Sequence, residues 1–136
     1  MRIGQISSAA LMLSGLAGVL VPRRVADALD LTVNSPRGSA EVRAGLGGTY
    51  AALGAWALTS PHPAAETAVG TAWLGAAAAR LASLPADRPK TPWPFWAYLA
   101  AEITLGSAAL ISARRRPRVD PRRRVCSADD GEHAPV

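Results

Sequence analysis

Residues 3–21, IGQISSAALMLSGLAGVLV, run for 19 positions without a charge between Arg2 and the pair Arg23-Arg24. A helix needs about 20 apolar residues to cross the hydrocarbon core of a bilayer, so this stretch predicts a first membrane-spanning helix. The rival reading is a secretory leader, with Arg2 as its basic start and the small residues around Ala26 and Ala28 as a cleavage point. The apolar core of a leader is usually about 7 to 15 residues, and this run is longer. Nothing ahead of Cys126 resembles a lipoprotein box.

The same pattern recurs along the chain. Residues 44–60 form a second uncharged, glycine-rich run, stopped by Pro61 and Pro63, since proline disfavours helix in the residue before it. Residues 64–84 predict a third helix, interrupted by Arg80 and ended by Pro85. Residues 94–113 predict a fourth, opened by Pro94 at a first-turn position, broken by Glu102 and closed by Arg114, Arg115 and Arg116. The expected fold is all-α: an integral membrane four-helix bundle running up, down, up and down. In the first connection, residues 23–31 predict a short helix lying in the interface, with Val25, Ala28, Leu29 and Leu31 apolar and Arg23, Arg24, Asp27 and Asp30 polar. Residues 34–38, NSPRG, then predict a turn.

A soluble helical bundle is the competing architecture. It requires charged faces repeating along each helix, and the first two runs carry no charge at all. Trp93, Phe95, Trp96 and Tyr98 crowd the start of the fourth helix, as an interfacial aromatic belt does.

The whole-chain averages of 136 residues, 49% apolar and a net charge of +5 conceal this division. Residues 114–136 hold seven of the fifteen basic groups and four of the ten acidic ones. The remaining body is nearly neutral, and the tail reads as a basic, disordered cytoplasmic extension drawn to anionic lipids at about 1 kcal/mol per base. Lacking interleaved aromatics, it does not point to nucleic acid. One cysteine and two histidines exclude a disulfide framework and a zinc site, and no cofactor is expected. Gly45, Gly47 and Gly48 are not a nucleotide loop, because no Lys-Ser/Thr comes after them.

Alternating helices bring the first and third connections to one side of the membrane, and most charges of the body fall there. Glu41 and Arg43 precede the second run, Arg80 lies four residues before Leu84, and Glu102 lies eight past Pro94. Eight residues are about 12 Å of helix, which sets Glu102 deep in its span. Such a group costs roughly 2.5 kcal/mol or more to insert, so it faces inward and pairs. Arg80 is the expected partner, with Arg43 and Glu41 closing the network. Two roles fit: an ion network that fixes helix register, or the polar end of a ligand site. Small-x-x-x-small spacings such as Ala44/Gly48 and Gly47/Ala51 predict close helix packing.

In form, Glu41-Val-Arg43-Ala44-Gly-Leu-Gly47-Gly48, with Arg80 and Glu102 further along, resembles the bacterial family catalogued as domain of unknown function 4345. The resemblance covers about residues 3–113 and implies a four-helix membrane protein. Leu46 stands where the family commonly carries an aromatic residue, usually Tyr, which removes a hydroxyl from the site. The family name implies no activity.

The expected function is therefore that of a membrane binding or accessory protein, with Glu41, Arg43, Arg80 and Glu102 serving a lipid-like or small polar ligand, or a partner helix. The alternative is a proton-coupled carrier working as a homo-oligomer, with Glu102 titrating. An enzyme is less expected, since no nucleophile and base pair or metal motif is present. Counting arginines near the spans places both termini in the cytoplasm of a bacterial inner-membrane protein.

Overall fold

The computed structural model describes residues 2–115, and these fold as helices alone, with no strand among them. The helices are α1 (Ile3–Leu20), α2 (Pro22–Ala28), α3 (Pro36–Val42), α4 (Thr49–Thr59), α5 (Pro63–Asp87) and α6 (Trp93–Arg115). A π-helical turn, Arg43–Gly48, joins α3 to α4, so the helical path is unbroken from Pro36 to Thr59. Apart from its first bases, Arg114 and Arg115 at the end of α6, the basic tail lies outside the described residues.

The long segments alternate in direction. Ser7 Oγ donates to the Leu105 carbonyl across α1 and α6 at 2.8 Å. Gly18 meets Gly47 near one end of α1, while Gly54 meets Ser8 and Met12 toward the other. Gly70 lies against Gly106 and Leu110, and Arg80 reaches Glu102, which sets α5 antiparallel to α6. The main packing pairs are α5 with α6 and α1 with the π-turn and α4. Backbone replaces side chain at these crossings: a Cβ on Gly15 would strike the Ala51 backbone, and one on Gly54 would lie 2.5 Å from the Met12 nitrogen. Only glycine permits that approach.

Four boundaries differ from the sequence reading. The turn expected at residues 34–38 is instead a helix start, because Ser35 Oγ accepts from the Gly38 N–H at 3.0 Å and Pro36 takes the first helical position. The second helix, expected over 44–60, consequently begins at Pro36. Pro85 does not end the third: α5 continues to Asp87 and stops at Arg88, whose φ of 48° is left-handed. Proline near a helix end sacrifices a single backbone bond. The helix in the first connection, expected over 23–31, covers Pro22–Ala28 and stops short of Asp30, whose φ of 58° is left-handed.

Of the four spans expected, α1 and α6 are long and apolar enough to cross a membrane among the described residues. The π-turn divides the second segment and leaves α4 11 residues long, and α5 is rich in alanine and carries Glu66 and Arg80.

The interior is small and partly polar. In α1 the buried residues are Gly4, Ser7, Ser8, Leu11, Gly15 and Gly18, while Ile3, Leu13 and Leu20 are 60%, 60% and 73% exposed. In α6, Glu102, Gly106, Ala109 and Ala113 are buried, and Ile103 and Ile111 face outward. The apolar cluster at the centre consists of Leu11, Ala57, Ala65, Val69 and Ala109, flanked by Tyr50, Leu53 and Trp73.

Candidate functional site

Arg80 and Glu102 form a two-pronged pair between α5 and α6. Arg80 Nη2 donates to Glu102 Oε1 at 2.7 Å and Arg80 Nε donates to Oε2 at 3.1 Å. Glu102 is 6% exposed and the Arg80 side chain 24%, so the pair is largely removed from its surroundings. The guanidinium carbon also lies 5.4 Å from the Phe95 ring centroid and 5.6 Å from that of Tyr98. Phe95, Tyr98 and Glu102 succeed one another at three- and four-residue spacing, one face of α6. That face therefore presents two ring faces and a carboxylate to one cation, and arginine alone suits both planar partners. Tyr98 Oη in turn donates to the Ala28 carbonyl at 3.4 Å, tying α6 to the end of α2.

Glu41 and Arg43 do not close this network. Glu41 is exposed and faces Arg37, one helical turn earlier, at 3.9 Å. Arg43 turns the other way: its Nε donates at 3.0 Å to the Val19 carbonyl, in the last turn of α1. That carbonyl is among those an α-helix leaves without an internal partner, so Arg43 caps α1. The reason for the separation lies in the packing: the segment bearing Glu41 and Arg43 rests on α1, whereas Arg80 and Glu102 belong to the α5 and α6 pair.

Where α1 ends, Arg43 also lines a cavity of about 420 Å³, with Val21, Pro22, Arg23, Arg24, Pro36 and Ser39. Three arginines and no acid form its wall. Among the described residues, neither Arg23 nor Arg24 has a carboxylate within 4.0 Å. Ser39 is 7% exposed, and its buried Oγ has no hydrogen-bond partner. The sequence pattern sets Arg23 and Arg24 on an interfacial face and gives no cue to Ser39.

Glu66 is a further charge that the sequence pattern does not single out. It is fully buried in the first turn of α5, at the end of the fold opposite the arginine cavity. A methyl placed on Gly4 would come within 2.8 Å of its carboxyl carbon and 2.5 Å of Ser112 Oγ, so α1 and α6 close over it. A carboxylate in a first turn favours the helix dipole, and that common explanation hides burial of this kind. The charges of the body are thus divided between the two ends. Among the described residues no group of three or more His, Cys, Asp or Glu side chains is placed to hold a metal ion.

The family model described as "Domain of unknown function (DUF4345)" matches residues 3–112, a range that takes in the ion pair, the arginine cavity and Glu66. Neither the curated proteins nor the solved structures contain a match to the chain.

Proposed function

This chain belongs to the DUF4345 family, and we propose that it is an integral membrane protein of the cell's inner membrane that binds a polar or lipid-like ligand at the arginine-lined end of α1. Its four long helical segments serve as spans. The observation that carries this reading is the reversed polarity of α1, with glycine and serine inside and Ile3, Leu13 and Leu20 outside. In water the large apolar side chains would be the ones buried. In hydrocarbon, helices associate through small residues and internal polar contacts, and large apolar groups face lipid.

Other features support the same placement. The exposed threonines Thr59, Thr67, Thr71 and Thr104 each donate to a carbonyl four residues earlier in their own helix, at 2.7 to 3.0 Å. Their hydroxyls thus need no water. Glu66, Arg80 and Glu102 turn inward, as ionisable groups within spans do. Trp93 and Trp96 lie exposed at the start of α6, at the level of an interfacial belt. Both termini then fall on one side, assigned to the cytoplasm, where the basic tail meets anionic lipid. The partners are lipid and, through exposed helix faces, other copies of the chain.

A binding role is preferred to proton-coupled transport, because both oxygens of Glu102, the group such a carrier would titrate, are held by one arginine. Extraction of membranes with alkaline carbonate tests the placement. The chain is expected to stay with the pelleted bilayer, and its release into the supernatant would overturn the reading.

A further inference from the structure

The cavity at the end of α1 combines features that call for a specific kind of occupant. Arg23 and Arg24 leave the first turn of α2, and Arg43 enters from the π-turn. With Nε of Arg43 committed to Val19, its terminal nitrogens remain available. Three guanidinium groups around one cavity repel each other unless an anion is present. A single carboxylate offers two oxygens and one charge, whereas a phosphate group offers more acceptor oxygens, matched to the planar fork of arginine. Ser39 adds an observation independent of charge. Ser39 lines the same cavity, and its buried hydroxyl, unpartnered within the protein, reaches a phosphoryl oxygen there by rotation about its Cα–Cβ bond. A buried hydroxyl without a partner is disfavoured, so its presence here is accounted for by a ligand acceptor.

We propose that Arg23, Arg24, Arg43 and Ser39 form a binding site for a phosphate group, borne by a phospholipid headgroup or by free phosphate. This assignment deepens the membrane-binding reading and rests on it. A volume of about 420 Å³ leaves room beside the phosphate for the polar part of a headgroup. The exposed Leu13, Leu16 and Leu20 run along α1 toward the cavity and give an acyl chain an apolar track. The site lies at the end of the body opposite Arg114 and Arg115 in the last turn of α6, so these two groups of arginines engage opposite faces of the bilayer.

The test uses the full chain in non-ionic detergent, with bound lipid counted by native mass spectrometry. The probes are dioleoyl phosphatidylglycerol, dioleoylglycerol with the same chains and no phosphate, and inorganic phosphate as competitor. One phosphatidylglycerol should bind with an affinity about a hundredfold lower in the Arg23→Gln/Arg24→Gln variant, about tenfold for each of the two charge-assisted hydrogen bonds removed. Ser39→Ala should weaken it about threefold, and dioleoylglycerol should not bind. Binding that resists millimolar inorganic phosphate assigns the site to the lipid, and displacement assigns it to free phosphate. Because the tail also attracts anionic lipid, the variants provide the readout, and circular dichroism establishes that they are folded. Phosphatidylglycerol binding within about twofold of the parent in both folded variants, or equal uptake of dioleoylglycerol, would overturn the site. Carbonate extraction separates the two levels: a chain that pellets while its variants bind lipid unchanged removes the phosphate site alone. A chain released from the membrane removes the placement, and phosphate binding then stands or falls on the inorganic arm.

Discussion

Replacing Arg80 by alanine strands the carboxylate of Glu102 in a site where only 6% of the residue is exposed. Removing one partner from a buried pair costs about 3 to 5 kcal/mol. The Arg80 side chain keeps 24% of its surface exposed, which admits some relaxation and places the expected loss near the lower figure, about 3 kcal/mol. Two aromatic contacts are lost as well, at about 0.5 to 1 kcal/mol each. Glu102→Gln alone should cost about 2 kcal/mol, by leaving a cation facing a neutral amide. If the two side chains act mainly on each other, the double variant is little worse than Arg80→Ala, because the stranded charge has gone. The coupling energy is then about 2 kcal/mol. Unfolding in mixed micelles with increasing dodecyl sulfate measures all four corners of the cycle. Additivity within about 0.5 kcal/mol would refute the reasoning, since it would mean that the bidentate geometry carries no mutual energy.

Three other outcomes are expected from the same contacts. Gly15→Val should disrupt the crossing of α1 with α4, because its Cβ meets the Ala51 backbone; a loss of about 3 kcal/mol or failure to assemble is expected, and retained thermal stability would contradict the packing. Leu13→Lys, near the middle of α1 and 60% exposed, should raise the insertion cost by about 2.5 to 3.5 kcal/mol. A translocon insertion assay reads this directly, and unchanged insertion speaks against a lipid-facing position. Arg43→Ala should destabilise by about 1 kcal/mol through the lost cap on Val19, whereas Glu41→Gln should lie within about 0.5 kcal/mol of the parent; the two denaturation midpoints, compared side by side, check the different roles assigned to neighbouring charges.

Helical segments were legible because uncharged runs and prolines speak about the chain locally. That Arg80 and Glu102 face each other is a matter of distance along the helix axes, a quantity that alternation of direction converts into depth. Glu41 and Arg43 illustrate what depth cannot supply. They share a level, but their azimuth around the helix decides their partners, and they point to Arg37 and Val19. The π-turn that begins at Arg43 changes that azimuth, and its cue is tertiary: Gly47 sits against Gly18 and Val19 of α1. The burial of Glu66 is hidden in the sequence for a related reason. A carboxylate in a first turn reads as an exposed end charge until Gly4 and Ser112 are found above it. Ser39 carries no sequence signal at all, since its burial depends on how α2 and α3 fold back over the end of α1.

The π-turn has a consequence for how the chain can change. A wider turn amounts to one extra residue inserted into an α-helix, so it shifts the helical phase of α4 relative to α3. Pro36–Val42, which carries Ser39, is therefore out of step with Thr49–Thr59, which carries the glycine contact to α1. Deleting one residue within Arg43–Gly48 would restore a regular helix and rotate α3 by about 100° relative to α4, swinging Ser39 out of its cavity. The turn acts as a joint that sets the phase between the cavity residue Ser39 and the Gly54 seam against α1.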